Sequence, residues 1–181
     1  MTIAEWTVPW LVGLTLIASP GPQEGSFPEG TYALHAEGFG PVRVGMTVSE
    51  AERLLDDSLV PDEPVPSPGP DAAEYEACHY VTPRRLPGVA FVIASGRIAR
   101  VDVFAEPYRT LEGAGIGTPE ATLHRLYPVA ASEPHPYADF AHAVLVAGDA
   151  GNGLAFETDG QTVTALRSGT IEAVSTIEGC P

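Results

Sequence analysis

The chain has 181 residues, 44% of them hydrophobic, which is enough to bury a core and too many for a disordered chain. Twenty-four acidic residues stand against nine basic ones, all arginine and scattered, for a net charge of −15. That balance excludes a basic track for nucleic acid, disfavours anionic membrane surfaces, and selects basic partners if it selects any.

Residues 1–18 form a signal-like apolar leader, with an apolar run from Val8 to Ala18. The run is too short to span a bilayer comfortably and matches the apolar segment of a secretory signal. No Lys or Arg precedes it, no A-x-A site follows, and Pro20 would hinder cleavage after Ser19. The expectation is an exported protein, periplasmic or secreted. The alternatives are a membrane anchor formed by an uncleaved N-terminus, which is the only membrane contact expected, and a poorly ordered apolar start. Residues 19–30, rich in Pro and Gly, read as a linker.

The next stretch, Gly38 to Leu55, predicts a short extended run at Val42–Val44, a turn at Gly45 and a helix over 47–56. Thr47 and Glu50 have the spacing of a capping box. The chain then repeats this plan. At an offset of 72, Gly45, Arg53 and Leu54 fall on Gly117, Arg125 and Leu126. At an offset of 65, Tyr75, Val81, Ile98 and Val101 fall on Phe140, Val146, Val163 and Leu166. Thr118 is expected to cap a second helix over 118–127, with Pro119 in its first turn.

These registers divide the folded part into unit 1, residues 31–106, and unit 2, residues 107–181 with a C-terminal tail. Strands are expected at 75–83, 88–95 and 97–105, then at 139–147, 153–158 and 162–168, with the tail 170–177 a candidate for one strand more. Unit 1 carries an acidic, Pro-rich insert at 60–71, read as a mobile loop. Alternation breaks between Ile98 and Val101, which a bulge or burial on both faces would explain. The fold class is therefore α+β: two similar units, each a helix on a three- to four-stranded antiparallel sheet, joined into one continuous sheet or kept apart.

The run Val42-Arg-Val-Gly-Met-Thr47, followed by a helix of the form x-x-E-A-x-x-L-L, is similar to a motif of the small lipoprotein in the bacterial outer-membrane assembly machine. It also resembles the tandem repeats of the β-lactamase inhibitor proteins of actinobacteria. The doubled organisation over residues 31–177 is closer to the inhibitors. Unit 2 departs from the motif, reading Ile116-Gly-Thr-Pro, and each unit shows one clear helix where the inhibitors have a pair. The resemblance implies helices on an antiparallel sheet, a bacterial envelope or extracellular setting, and a non-catalytic role. It does not carry over inhibition of β-lactamase, because no contact residues can be matched.

Few residues argue for chemistry. Cys78 and Cys180 are expected to pair in an oxidising compartment; the alternative is a buried and a free thiol. His135, Asp139 and His142 are weak metal candidates, at a spacing that fits no compact site. The run Gly113–Gly117 lacks the spacing and the Lys-Ser/Thr of a phosphate loop. Asp102, the one acid inside an apolar strand, has Arg167 as its repeat counterpart at the offset of 65 and reads as a structural ion pair or an outward-facing residue. No catalytic residue and no cofactor are expected. The expected function is an exported binding module, acting on another protein through its open sheet face or loops, inhibitor-like in manner. The alternatives are an envelope scaffold held at the membrane and an enzyme without a recognisable site.

Overall fold

The computed structural model describes residues 32–180, so the leader 1–18 and linker 19–30 lie outside the described residues. Three two-residue strands, β1 (Leu34–His35), β2 (Gly38–Phe39) and β3 (Val42–Arg43), form a small antiparallel sheet. Gly38 permits so tight a fold, since a Cβ there would strike the Val42 carbonyl. Helix α1 (Val48–Leu55) starts with the expected capping box. Glu50 N donates to Thr47 Oγ1 at 3.3 Å, and Thr47 N donates to the Glu50 carboxylate at 2.8 Å.

After α1 come β4 (Leu59–Pro61), α2 (Pro70–Ala77), β5 (Cys78–Pro83), β6 (Val89–Ala94) and β7 (Arg97–Val103). The chain continues with α3 (Glu120–Leu126), β8 (Ala131–Pro134), β9 (His142–Ala147), β10 (Asn152–Thr158), β11 (Val163–Thr170) and α4 (Ile171–Ser175). The last eight strands make one antiparallel sheet in the order β4-β5-β6-β7-β11-β10-β9-β8. At its central seam, Asp102 of β7 sits opposite Arg167 of β11. The broken alternation in β7 is a bulge: Ile93 faces Ile98 but Val92 faces Arg100, which leaves Ala99 as the extra residue.

Each glycine turn is tied to the start of a central strand. Gly45 N donates to Ile98 O and Ile98 N to Met46 O, both at 2.8 Å. Gly117 N donates to Val163 O at 2.8 Å, and Val163 N to Thr118 O at 2.9 Å. Both glycines hold positive φ, 86° and 78°, a conformation open to glycine at little cost.

One face of the sheet presents Val81, Phe91, Val101, Val103, Leu166, Phe156 and Val144 to Ala51 and Leu55 of α1 and to Leu123 and Tyr127 at α3. Tyr127 and Phe156 pack ring to ring at 5.4 Å. The small sheet docks on this face, where Ser168 Oγ donates to His35 O at 2.6 Å and to Gly38 O at 3.1 Å.

Several expectations need correction. The insert 60–71 is not simply a loop: Leu59–Pro61 pairs with β5, and Pro70 opens α2 as a first-turn proline. The strand expected at 75–83 therefore starts at Cys78, because Tyr75–Ala77 close the helix. Thr118 does not cap α3. Its Oγ1 accepts from Gly115 N at 2.9 Å, and Pro119 stands outside the helix as its uncapped N-terminal flank. The strand expected at 139–147 is shorter, and the edge strand β8 precedes it. The tail turns into α4, capped by Thr170 Oγ1 accepting from Ala173 N, instead of adding a strand.

Candidate functional site

The second face of the sheet is built from small and charged residues. Across β7, Asp102 pairs with Ala90 and Arg100 with Val92; across β11, Arg167 pairs with Ala155 and Gly169 with Gly153. The small neighbours Ala90, Ala155, Gly153 and Gly169 leave room for the Arg100 and Arg167 side chains, which bond the C-terminal segment. Arg100 and Asp102 are 1% and 0% exposed and meet at 2.7 and 2.8 Å. A carboxylate this deep would lose too much hydration alone, so two arginines accompany it, Arg167 at 3.9 Å. Burial pushes the Asp102 carboxyl up, against the pull of Arg100 and Arg167.

The Arg100 guanidinium also collects the chain end. Its Nη1 donates to the carbonyls of Ala173 and Thr176 at 2.8 Å and of Glu178 at 3.2 Å, and its Nη2 to Tyr80 Oη at 3.0 Å. Arg167 Nη2 donates to Ile177 O at 2.9 Å and to the Glu157 carboxylate. Residues 171–180 thus form a strap over the second face, with Val174 buried beneath it and Ile171 filling the space that a Cβ on Gly153 would need. Cys78 and Cys180 form the expected disulfide, across a separation of 102 residues.

Beside the strap lies a cleft of about 660 Å³, lined by Asp62, Glu63, Pro64, Pro66, Asp71, Glu74, Tyr75, Ala77, Cys78, His79, Tyr80, Gly179 and Cys180. Three segments supply it: the chain after β4, helix α2 with the start of β5, and the strap end. Tyr75 and His79 stack face to face at 4.1 Å between centroids, and 8° between planes. His79 Nδ1 donates to Tyr75 O at 2.7 Å, which leaves Nε2 the acceptor in the neutral ring. Asp62, Glu63, Asp71 and Glu74 are exposed and have no cationic partner among the described residues.

A second depression, along α1, is lined by Ser49, Glu52, Arg53, Asp56, Asp57 and Ser58. Its acids are engaged. Glu52 accepts from Leu59 N, Asp57 from Ser58 N and Arg85 N, and Arg85 lies 3.4 Å from Asp56. The two acidic surfaces therefore differ in kind: one is satisfied internally and the other is not.

The weak metal candidates are separated. His135 Nε2 lies 3.6 Å from Glu157, and His142 Nδ1 lies 2.9 Å from Glu120, which also accepts from Thr158 Oγ1 at 2.6 Å. No hydrogen bond or ion pair joins Asp139 to either, and no group of three or more His, Cys, Asp or Glu among the described residues is placed to hold a metal ion. Burial alone would raise the Glu120 carboxyl, but hydrogen bonds from Thr158 and His142 and the nearby His142 and His124 rings hold it below the usual range. Among the described residues no helix is long and apolar enough to cross a membrane.

The cleft was hidden from sequence reasoning because α2 has no apolar stripe. A signal existed in Pro70-Asp-Ala-Ala-Glu-Tyr-Glu-Ala77, a first-turn proline and acid followed by strong helix formers. Compared with protein-family models, with curated proteins and with solved structures, the chain matches none.

Proposed function

We propose that the chain is an exported, non-catalytic protein-binding module whose cleft captures a basic segment of another protein, in the manner of an inhibitor. The observation that carries this reading is the cleft itself, with four exposed carboxylates lacking a cationic partner among the described residues and a stacked Tyr75–His79 pair at their side. A guanidinium or ammonium group placed there meets opposite charge from α2 and from the chain after β4, and an aromatic face for cation–π contact. The disulfide supports export, because such bonds persist in oxidising compartments. The sequence pointed to the open sheet face or the loops; the strap covers the centre of one face and α1 and α3 cover the other, which favours the second of these, at the cleft.

We also read residues 31–106 and 107–181 as two copies of one unit. Paired hydrogen bonds support this: Gly45 and Met46 bind Ile98 as Gly117 and Thr118 bind Val163, at the offsets of 72 and 65. The sheet order supports it too, since β4–β7 and β8–β11 run inward to the same seam.

The test is calorimetric titration of the full oxidised chain with a hexa-arginine peptide. We expect one-to-one binding that weakens with salt and drops about tenfold in Asp71→Asn/Glu74→Gln, a loss of about 1.4 kcal/mol. The control Glu133→Gln/Asp149→Asn, which removes the same charge elsewhere, keeps the affinity. Equal losses in both variants would reduce the effect to net charge and sink the cleft as the site.

A further inference from the structure

The strap is tied down in two different ways, and the difference falls at Glu178. Up to that residue the segment is held by Arg100, by Arg167 and by the buried Val174, none of which depends on the sulfurs. Beyond it, no hydrogen bond among the described residues holds Gly179 or Cys180; the Cys78–Cys180 bond alone keeps them in the cleft wall. Tyr80 lines the cleft, and Gly179 lies directly against its hydroxyl, where no Cβ would fit, and so covers that end of the ring and the buried Arg100 Nη2 bonded to it. Both cysteines are partly exposed and line the cleft, within reach of a small thiol.

We propose that Cys78–Cys180 is a redox gate on the cleft, an inference that rests on reading the cleft as the binding site. A dithiol opens it: one thiolate attacks a sulfur of the bond, and the second thiol resolves the mixed disulfide. The dithiol becomes a disulfide, and Cys78 and Cys180 take up its two electrons and two protons as thiols. Gly179 and Cys180 then leave the wall, and the cleft opens onto the Tyr80 hydroxyl and the Arg100 guanidinium bonded to it. A cationic ligand loses an enclosing side and faces like charge. The strap from Ile171 to Glu178 stays docked through Arg100 and Arg167.

The experiment compares the full chain, oxidised and reduced with dithiothreitol, and the Cys180→Ser variant without reductant. Each is trimmed with a broad-specificity carboxypeptidase and read by mass, titrated with hexa-arginine, and followed by far-UV circular dichroism. The oxidised chain is expected to stop at the disulfide. The reduced chain and the variant are expected to lose residues through Gly179, stop at the docked strap, keep their circular dichroism, and bind the peptide about tenfold more weakly. Trimming that stops at Cys180 in all three would overturn the gate, and so would collapse of the fold on reduction, which would make the bond a structural staple. A released end with unchanged affinity would overturn the gate and leave the cleft standing. An oxidised chain that ignores the peptide would sink the cleft, and the gate with it.

Discussion

On the face of the sheet that carries α1 and α3, closure is apolar: Phe91, Val101, Phe156 and Leu166 meet Leu55, Leu123 and Tyr127 with almost no surface left to solvent. On the opposite face closure is polar: two arginines and an aspartate are buried beneath a peptide strap whose carbonyls they bind. The first kind of packing tolerates volume-conserving change and is indifferent to where the chain ends. The second is directional, because each guanidinium N–H needs its acceptor, and it ties the backbone of residues 173–178 to buried charge, with Val174 alone of the strap fully buried. The face that holds the tail also shapes the cleft, since the strap end forms part of the cleft wall.

The largest expected effect separates the two faces. Asp102→Ala leaves Arg100 buried without its countercharge and should cost about 3–5 kcal/mol in urea unfolding. Phe91→Ala should cost a similar amount, about 3–5 kcal/mol, from the apolar side. Only the first should also make residues 171–178 accessible to carboxypeptidase under native conditions; if both do, the faces are not independent.

Next comes Cys180→Ser. Opening a loop that spans 102 residues should cost about 2–4 kcal/mol by urea unfolding, below the full loop-closure value because Gly179 and Cys180 gain freedom in the folded chain as well. Smaller again is Thr47→Ala, which removes half of the capping box at α1 and should cost about 1 kcal/mol by thermal unfolding.

The smallest effect is a pH dependence. Glu120 titrates lower in the folded chain than in the unfolded one, so its contribution is complete above the ordinary glutamate range and is lost as pH falls through the lowered value. Asp102 works the other way: its carboxyl is raised, so its contribution declines as pH rises from the ordinary aspartate range through the raised value. Glu120→Gln should flatten the acid limb of a stability–pH curve while leaving the change attributed to Asp102 in place.

The sequence was most readable where its signals are local. Thr47 and Glu50 announce their box at a spacing of three, and the glycine turns with their helices recur at a fixed offset. The cysteine pair was legible by elimination, there being only two. Helix α2 was not, because it lies over the cleft without a buried residue, so its sequence carries no periodicity. The tail misled for a related reason: Thr170, Ile171 and Val174 are β-branched, and the Thr170 cap is visible only once α4 is folded. Nothing in the sequence set Arg100 apart from the other scattered arginines, because its backbone acceptors lie 73 to 78 residues further along the chain.

The central claim is that the unsatisfied acidic cleft, and no other surface, engages a basic partner. Nuclear magnetic resonance of the ¹⁵N-labelled oxidised chain during titration with hexa-arginine tests it most directly. The account predicts shift changes confined to residues 62–80 and 179–180, with the engaged acids along α1 and the exposed loop at Tyr137 and Phe140 unmoved. Changes spread evenly over the acidic surface, or centred on α1, would contradict it.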